Sequence, residues 1–179
     1  TGGPVDLGGM DLLLVNGDDT STIAHREYTR FRLVGTVSDA GVATNVLPAG
    51  GYMVAGRGDG GTLTLLVPVP DDALRLAWNT ANTVQNGPAD GVALLHYATG
   101  TVVDSVVYAG APTTGTTTFT FATGVGDRTV NVAETRAADA GDIGNDAGAI
   151  ARQPNGVDTN NNEADWRFVP TYTPGAANP

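Results

Sequence analysis

Apolar residues along this chain recur mostly with a period of two. In Tyr28–Leu33, the residues Thr29, Phe31 and Leu33 fall on one side and Tyr28, Arg30 and Arg32 on the other, because successive side chains of an extended strand point in opposite directions. One buried and one wet face are expected there. Turn-forming residues interrupt the pattern at intervals of about eight to twelve residues, the rhythm of a sandwich or barrel. Strands are predicted at Asp11–Val15, Tyr28–Leu33, Gly51–Ala55, Leu63–Val67, Val92–Tyr97, Thr101–Tyr108, Thr117–Phe121, Thr129–Ala133 and Trp166–Val169. Only Ala98-Thr99-Gly100 separates the fifth from the sixth, and a three-residue loop ending in Gly predicts a hairpin. Helix has little room: Asp71–Leu76, which opens on acidic residues, and Ala133–Asp139 predict single turns. The Thr-rich run Thr113–Thr120 reads as an exposed edge strand or a segment for O-glycosylation. The fold class is all-β.

A chain of 179 residues is long enough to bury one sizeable core, so a single domain spanning 1–179 is expected. Its 25 Gly and 10 Pro are spread along the whole length, which suits short strands and tight turns. Every one of the nine basic residues is Arg, against 19 acidic groups, for a net charge of -10. Such a surface repels phosphate backbones, so no nucleic acid or anionic membrane is expected as partner. Cysteine is absent, which removes disulfides, thiolate metal sites and a Cys nucleophile. The longest apolar stretches, Leu12–Val15 and Leu63–Val67, fall well short of the roughly 20 residues of a membrane-spanning helix, so no membrane insertion is expected. The chain starts at Thr1 without Met, basic n-region or apolar h-region, the look of a processed product.

Candidate chemistry is sparse. Gly56–Gly61 spells G-x-G-x-x-G, but that fingerprint needs a helix N-terminus to receive phosphate, and Thr62–Val67 reads as a strand. Asp59 would also repel the phosphate, so a Gly-rich turn is the better reading, and the embedded Arg57-Gly58-Asp59 is read as chance. None of Ser21, Ser38 and Ser105 sits in G-x-S-x-G, and His25 and His96 with no Cys cannot build a His-rich zinc site. His96 and Asp104 lie on the two strands of the predicted hairpin, where an ordinary sheet pair explains them better than acid–base chemistry. No catalytic residue is assigned. In Asp158–Asp165 oxygen-bearing side chains alternate, making Asp158, Asn160, Asn162 and Asp165 candidate calcium ligands. The rest of an EF-hand loop is missing, with Glu163 in the Gly position and Val169 where the bidentate Glu belongs. A loop held by Asp and Asn bonded to the local backbone reads equally well. Asp139–Asp146 is a second loop of this kind, and no cofactor other than calcium is expected. Trp78, flanked by Asn79 and Asn82, is the candidate platform for a sugar face, whereas Trp166 reads as core.

Several segments, in order, resemble the lamin-tail domain in its bacterial secreted form. They are Pro4–Gly9 with Leu13–Gly17, Leu47–Val54, Gln85–Leu95 with Gly100–Tyr108, Ile150–Thr159 with Asp165-Trp166, and Pro174–Asn178. The likeness runs the length of the chain, and its ordered motifs together are far more specific than any one. It implies an immunoglobulin-like β-sandwich with long loops. The family's usual opening strands have no counterpart before Pro4, which leaves backbone groups on neighbouring strands to be paired by something else. Strand donation from other copies of the chain, or from another surface protein, would fill that gap. The expectation is a non-catalytic extracellular or cell-surface module, in its sharper form a self-assembling filament or surface-layer subunit. The alternative is an accessory targeting domain released from a larger secreted enzyme such as a nuclease or phosphatase.

Overall fold

The computed structural model describes residues 2–17, 26–35, 38–39, 42–59, 62–63, 68–79, 84–85, 90–108, 117–134 and 148–178. In chain order these form β1 (Val5–Asp6), β2 (Met10–Asn16), β3 (Arg26–Arg32), β4 (Ser38–Asp39), β5 (Val42–Ala43), β6 (Val46–Leu47), β7 (Met53–Asp59) and β8 (Thr62–Leu63). There follow β9 (Leu74–Trp78), β10 (Asp90–His96), β11 (Thr101–Tyr108), β12 (Thr118–Phe121), β13 (Arg128–Asn131), β14 (Ala149–Arg152), the helical turn α1 (Asn162–Asp165) and β15 (Trp166–Val169). The fold is all-β, as the period-two pattern requires. Among the described residues, no helix is long and apolar enough to cross a membrane.

Chain contacts divide the protein into two compact units. The first, Thr1–Met10, Arg32–Thr83 and Thr173–Ala177, holds the sheet β5-β4-β9-β7-β8 and the pair β1-β6. Within it β7 and β9 run parallel, Met53 opposite Leu74 through Arg57 opposite Trp78. The segment expected as a helical turn at Asp71–Leu76 is here a turn followed by β9. Leu74 and Leu76 are both buried and Arg75 lies between them, so a strand buries both leucines on one side. Arg75 turns back to donate to the carbonyls of Pro70 and Ala73 at 2.9 and 3.0 Å. Of the segment expected as a Gly-rich turn, Gly56–Asp59 belong to β7, with Gly58 opposite Leu63 and Asp59 opposite Thr62, and Gly60-Gly61 lie outside the described residues.

The second unit, Asp11–Phe31, Val84–Tyr172 and Asn178–Pro179, contains the sheet β11-β10-β2-β3 and the hairpins β12-β13 and β14-β15. Its core lies on one sheet face, where Leu13, Val15, Ala93, Leu95 and Val107 meet Phe119, Phe121, Val132 and Ala133. The two phenyl rings stack with centroids 6.3 Å apart. Each fully buried large side chain contributes about 1.5–3 kcal/mol. The hairpin β10-β11 forms where expected, but its loop is Tyr97–Gly100, closed by the Gly100 N–H on the His96 carbonyl at 2.9 Å. Gly100 has φ +69°, which an L side chain rarely adopts. A register shift between Leu94 and Leu95 leaves Val103 as an extra residue on β11.

Three further expectations need correction. The faces of β3 do not divide into buried and wet: Arg32 is exposed, but Arg30 is 20% exposed and bonded to Glu27 and Asp11, and Tyr28, Thr29 and Phe31 are all half-buried. β14 has no mark in the sequence, because Ala149-Ile150-Ala151-Arg152 lacks a strong alternation; its pairing with β15 makes it a strand. The turn α1 is likewise additional to the expected elements, and its N-cap Asn161 accepts from the Ala164 N–H. Ala133 and Glu134 lie in a turn, while the rest of the expected helical turn through Asp139 lies outside the described residues. So do His25, residues 64–67 of the strand expected after the Gly-rich turn, residues 113–116 of the Thr-rich run, and the acidic loop Asp139–Asp146.

Candidate functional site

The densest polar constellation among the described residues is built around Arg152, at the end of β14 in the second unit. Its register partner on β15 is Trp166, and its guanidinium lies over the indole at 5.0 Å from the ring centre. From there Nη2 donates to Asp104 Oδ1 at 2.7 Å, and Nη1 reaches Asp158 Oδ1 at 3.0 Å and the Val157 carbonyl at 3.2 Å. Asp165 Oδ2 stands 3.9 Å from Nη1. The Arg152 side chain is 8% exposed and Asp165 3%, whereas Asp104 and Asp158 reach water, so screening is weak only on the inner side of the network. Arg152 also anchors the chain end of the unit, its carbonyl accepting from Asn178 Nδ2.

The surrounding loop is held by its own polar groups. Asp165 accepts from the Thr159 N–H at 2.8 Å and from its hydroxyl at 2.7 Å. Asp158 Oδ1 accepts from the Asn160 N–H, and Asn160 takes a left-handed φ of +55°, a conformation Asn tolerates. Asn162 is fully buried. Its Oδ1 accepts from the Val107 N–H at 2.8 Å, and its Nδ2 donates to the Ser105 carbonyl at 3.0 Å and to Glu134 Oε2 at 2.8 Å.

Of the four candidate calcium ligands, Asp158 and Asp165 both approach Arg152 Nη1, while Asn162 is turned to β11. Asn162 and Asp165 spend their side-chain oxygens on donors of the chain, which is the loop reading of Asp158–Asp165. Asp158, whose Oδ1 also takes the Asn160 N–H and Arg152, lies beside Asp104 and Glu134, one carboxylate oxygen from each of the three being within 4.8 Å of the others. Oxygens at that separation are the kind of set that can hold a divalent cation. An open hollow of about 600 Å³ adjoins this corner, lined by Thr101, Asp104, Asn131, Glu134 and Asn160 among others.

Electrostatics follow from burial and from one cation among several anions. Burial pushes the Asp104 carboxyl above the usual carboxylate range, outweighing Arg152 and the Ser105 N–H that lower it. Glu134 is raised too, first by burial and then by the nearby Asp158 and Asp104. Asp165 goes the other way: burial alone would raise it, but the hydroxyl and amide of Thr159, together with Asn161 and Arg152, hold it low. A second polar knot joins Gln85 to the sheet. Its N–H donates to the Tyr28 hydroxyl, its carbonyl accepts from the Tyr108 hydroxyl, and its Oε1 accepts from Asn16 Nδ2. Both phenols titrate above their ordinary value, mainly because of burial.

His96 and Asp104 are not opposite one another. Thr101 stands across from His96 and Leu94 across from Asp104, and His96 Nδ1 is bonded to Thr99 Oγ1 at 3.1 Å. Ser105, buried, donates its hydroxyl to the Val132 carbonyl at 2.8 Å. Trp166 packs beside an apolar hollow of about 170 Å³ with Leu12, Val92, Leu94 and Val106, while Trp78 is half-buried on β9. Sequence reasoning missed Glu134 and the attachment of Asn162 to β11, since nothing local marks either. Comparison with known protein families, with curated proteins and with solved structures finds no match.

Proposed function

We propose that this chain is a non-catalytic extracellular module of the lamin-tail type, an immunoglobulin-like β-sandwich that assembles by strand addition with other copies of itself or with another surface protein. Convergence supports the family reading. Asp104 from Gly100–Tyr108, Arg152, Asp158 and Thr159 from Ile150–Thr159, and Asp165-Trp166 are all parts of the resemblance and meet in one ion-paired cluster. The same cluster supports a structural role, because its charged groups are spent on each other and on backbone groups, and a reacting group needs a free acid, base or nucleophile.

The observation that carries the assembly reading is the strand order β11-β10-β2-β3 among the described residues, with a different kind of strand at each end. The β11 edge is closed by side chains, Asp104 taking the Ser105 N–H and Asn162 taking the Ser105 carbonyl and the Val107 N–H. Among the described residues β3, seven residues long, stands at the other end of the strand order. A long edge strand is a template for another chain, and head-to-tail addition generates rings or filaments. The chain has no Cys, so a single thiol at Thr29→Cys can carry a nitroxide label on β3 alone. The reading expects the label to become immobilised as concentration rises. A label that stays mobile in a chain that remains monomeric would remove strand addition and leave an accessory domain of a larger secreted enzyme.

A further inference from the structure

The contacts of Asn162 bear on how the β11 edge of the sheet meets other chains. In a two-stranded pairing, alternate residues turn their N–H and C=O toward the partner and the others turn them away. On β11 the groups turned away from β10 include the Ser105 carbonyl and the Val107 N–H, and a neighbouring strand would satisfy both. Instead one side-chain amide does so, at 3.0 and 2.8 Å. Asn162 is fully buried, its Nδ2 is steadied by Glu134, and its place in space is fixed by α1, which Asn161 caps and Asp165 ties back to Thr159. Asp104 closes the Ser105 N–H beside it and is pinned by Arg152.

The strand so covered is one that would otherwise pair readily. Thr101-Val102-Val103-Asp104-Ser105-Val106-Val107-Tyr108 is almost all β-branched or aromatic and carries one charge. Such a strand can pair with a second copy of itself. An antiparallel copy related by a two-fold axis at Ser105 sets Asp104 opposite Val106, and an axis at Val106 sets it opposite Tyr108. Neither register opposes the two carboxylates, and both bring the outward groups of Ser105 and Val107 into a ladder.

We infer that Asn162 is an edge guard: its amide stands in for a neighbouring strand and prevents β11 from pairing with β11 of a second copy. The guard is independent of assembly at β3, since it concerns the edge that stays shut. Asn162→Ala leaves the Val107 N–H and the Ser105 carbonyl without partners, a state relieved by pairing with another copy.

The test compares parent and N162A by light scattering and by amide hydrogen exchange, at concentrations where the parent is monomeric. N162A is expected to form dimers. Its Val107 amide should exchange about tenfold faster than the parent's when dilute, the change that loss of one hydrogen bond produces, and regain protection in the dimer. If N162A does not fold, Asn162→Leu supplies the same reading, since it keeps the volume and removes both the acceptor for the Val107 N–H and the donor to the Ser105 carbonyl. A folded variant that stays monomeric, or that dimerises without renewed protection at Val107, overturns the inference.

Discussion

Removing the guanidinium of Arg152 leaves Asp165, which is 3% exposed, without the cation beside it, and takes the partner from Asp104 and Asp158. Breaking a buried ion pair from one side costs about 3–5 kcal/mol. Asp104 and Asp158 are 43% and 41% exposed, so water screens part of the loss and the lower end applies. Arg152→Ala is therefore expected to lower the stability measured by urea unfolding by about 3 kcal/mol. Arg152→Lys should recover only part of that, because an ammonium lacks the planar fork that spans two carboxylates and stacks on Trp166. A loss no larger than that of an ordinary surface substitution would mean that the cluster does not hold the fold.

The same residues set the pH dependence. Asp104 and Glu134 hold their protons more tightly in the folded chain than in the unfolded one. Between the ordinary carboxylate range, about 3.9–4.3, and their raised values the native state binds more protons, so stability rises as pH falls from neutral into that window. Asp165 is held low, so its contribution is present above the ordinary range and is lost as pH falls below about 4. Melting temperature should pass through a maximum on the acid side of neutrality, and Asp104→Asn with Glu134→Gln should flatten the rise toward it. A melting temperature that only falls between about pH 7 and 5 would contradict this. Because Asn162 and Asp165 spend their oxygens on the chain, calcium is expected to leave the melting temperature unchanged. An increase abolished by Asp158→Asn would instead assign an ion to the corner of Asp104, Glu134 and Asp158.

At the scale of elements, the hairpin β10-β11 has two glycines at which an added side chain would meet close neighbours. A Cβ at Gly91 would lie 2.6 Å from the Val106 carbonyl oxygen, a backbone atom that cannot swing aside. At Gly100 the nearest atom is Arg128 Cγ at 2.8 Å, on a side chain that can move, leaving mainly the cost of φ +69°. Gly91→Ala should then cost about 2–3 kcal/mol and Gly100→Ala about 1–2 kcal/mol, compared by thermal unfolding. The reverse order would place the strain in the turn and not in the strand pair. This hairpin was legible because its alternation and Gly100 are local signals. β9 was not, since Asp71-Asp72 at its start looks like a helix N-terminus and only pairing with β7 decides for a strand. Four of the cluster's residues were legible as polar positions, Asp158, Asn162 and Asp165 by their spacing and Asp104 by its strand. Their meeting with Arg152 was not, because Arg152 and Asp104 lie 48 residues apart and no local pattern encodes that distance.

At the scale of the whole molecule, a net charge of -10 opposes association at low salt and is screened within about 10 Å at 0.1 M. Assembly should therefore strengthen with ionic strength, which separates it from binding driven by opposite charges. The measurement that bears most directly on the proposed function is the size and shape of the purified chain, by light scattering over a range of concentration and salt followed by negative-stain electron microscopy. Ordered fibres or rings that grow with concentration and salt are the predicted result, and a folded monomer under every condition would contradict it.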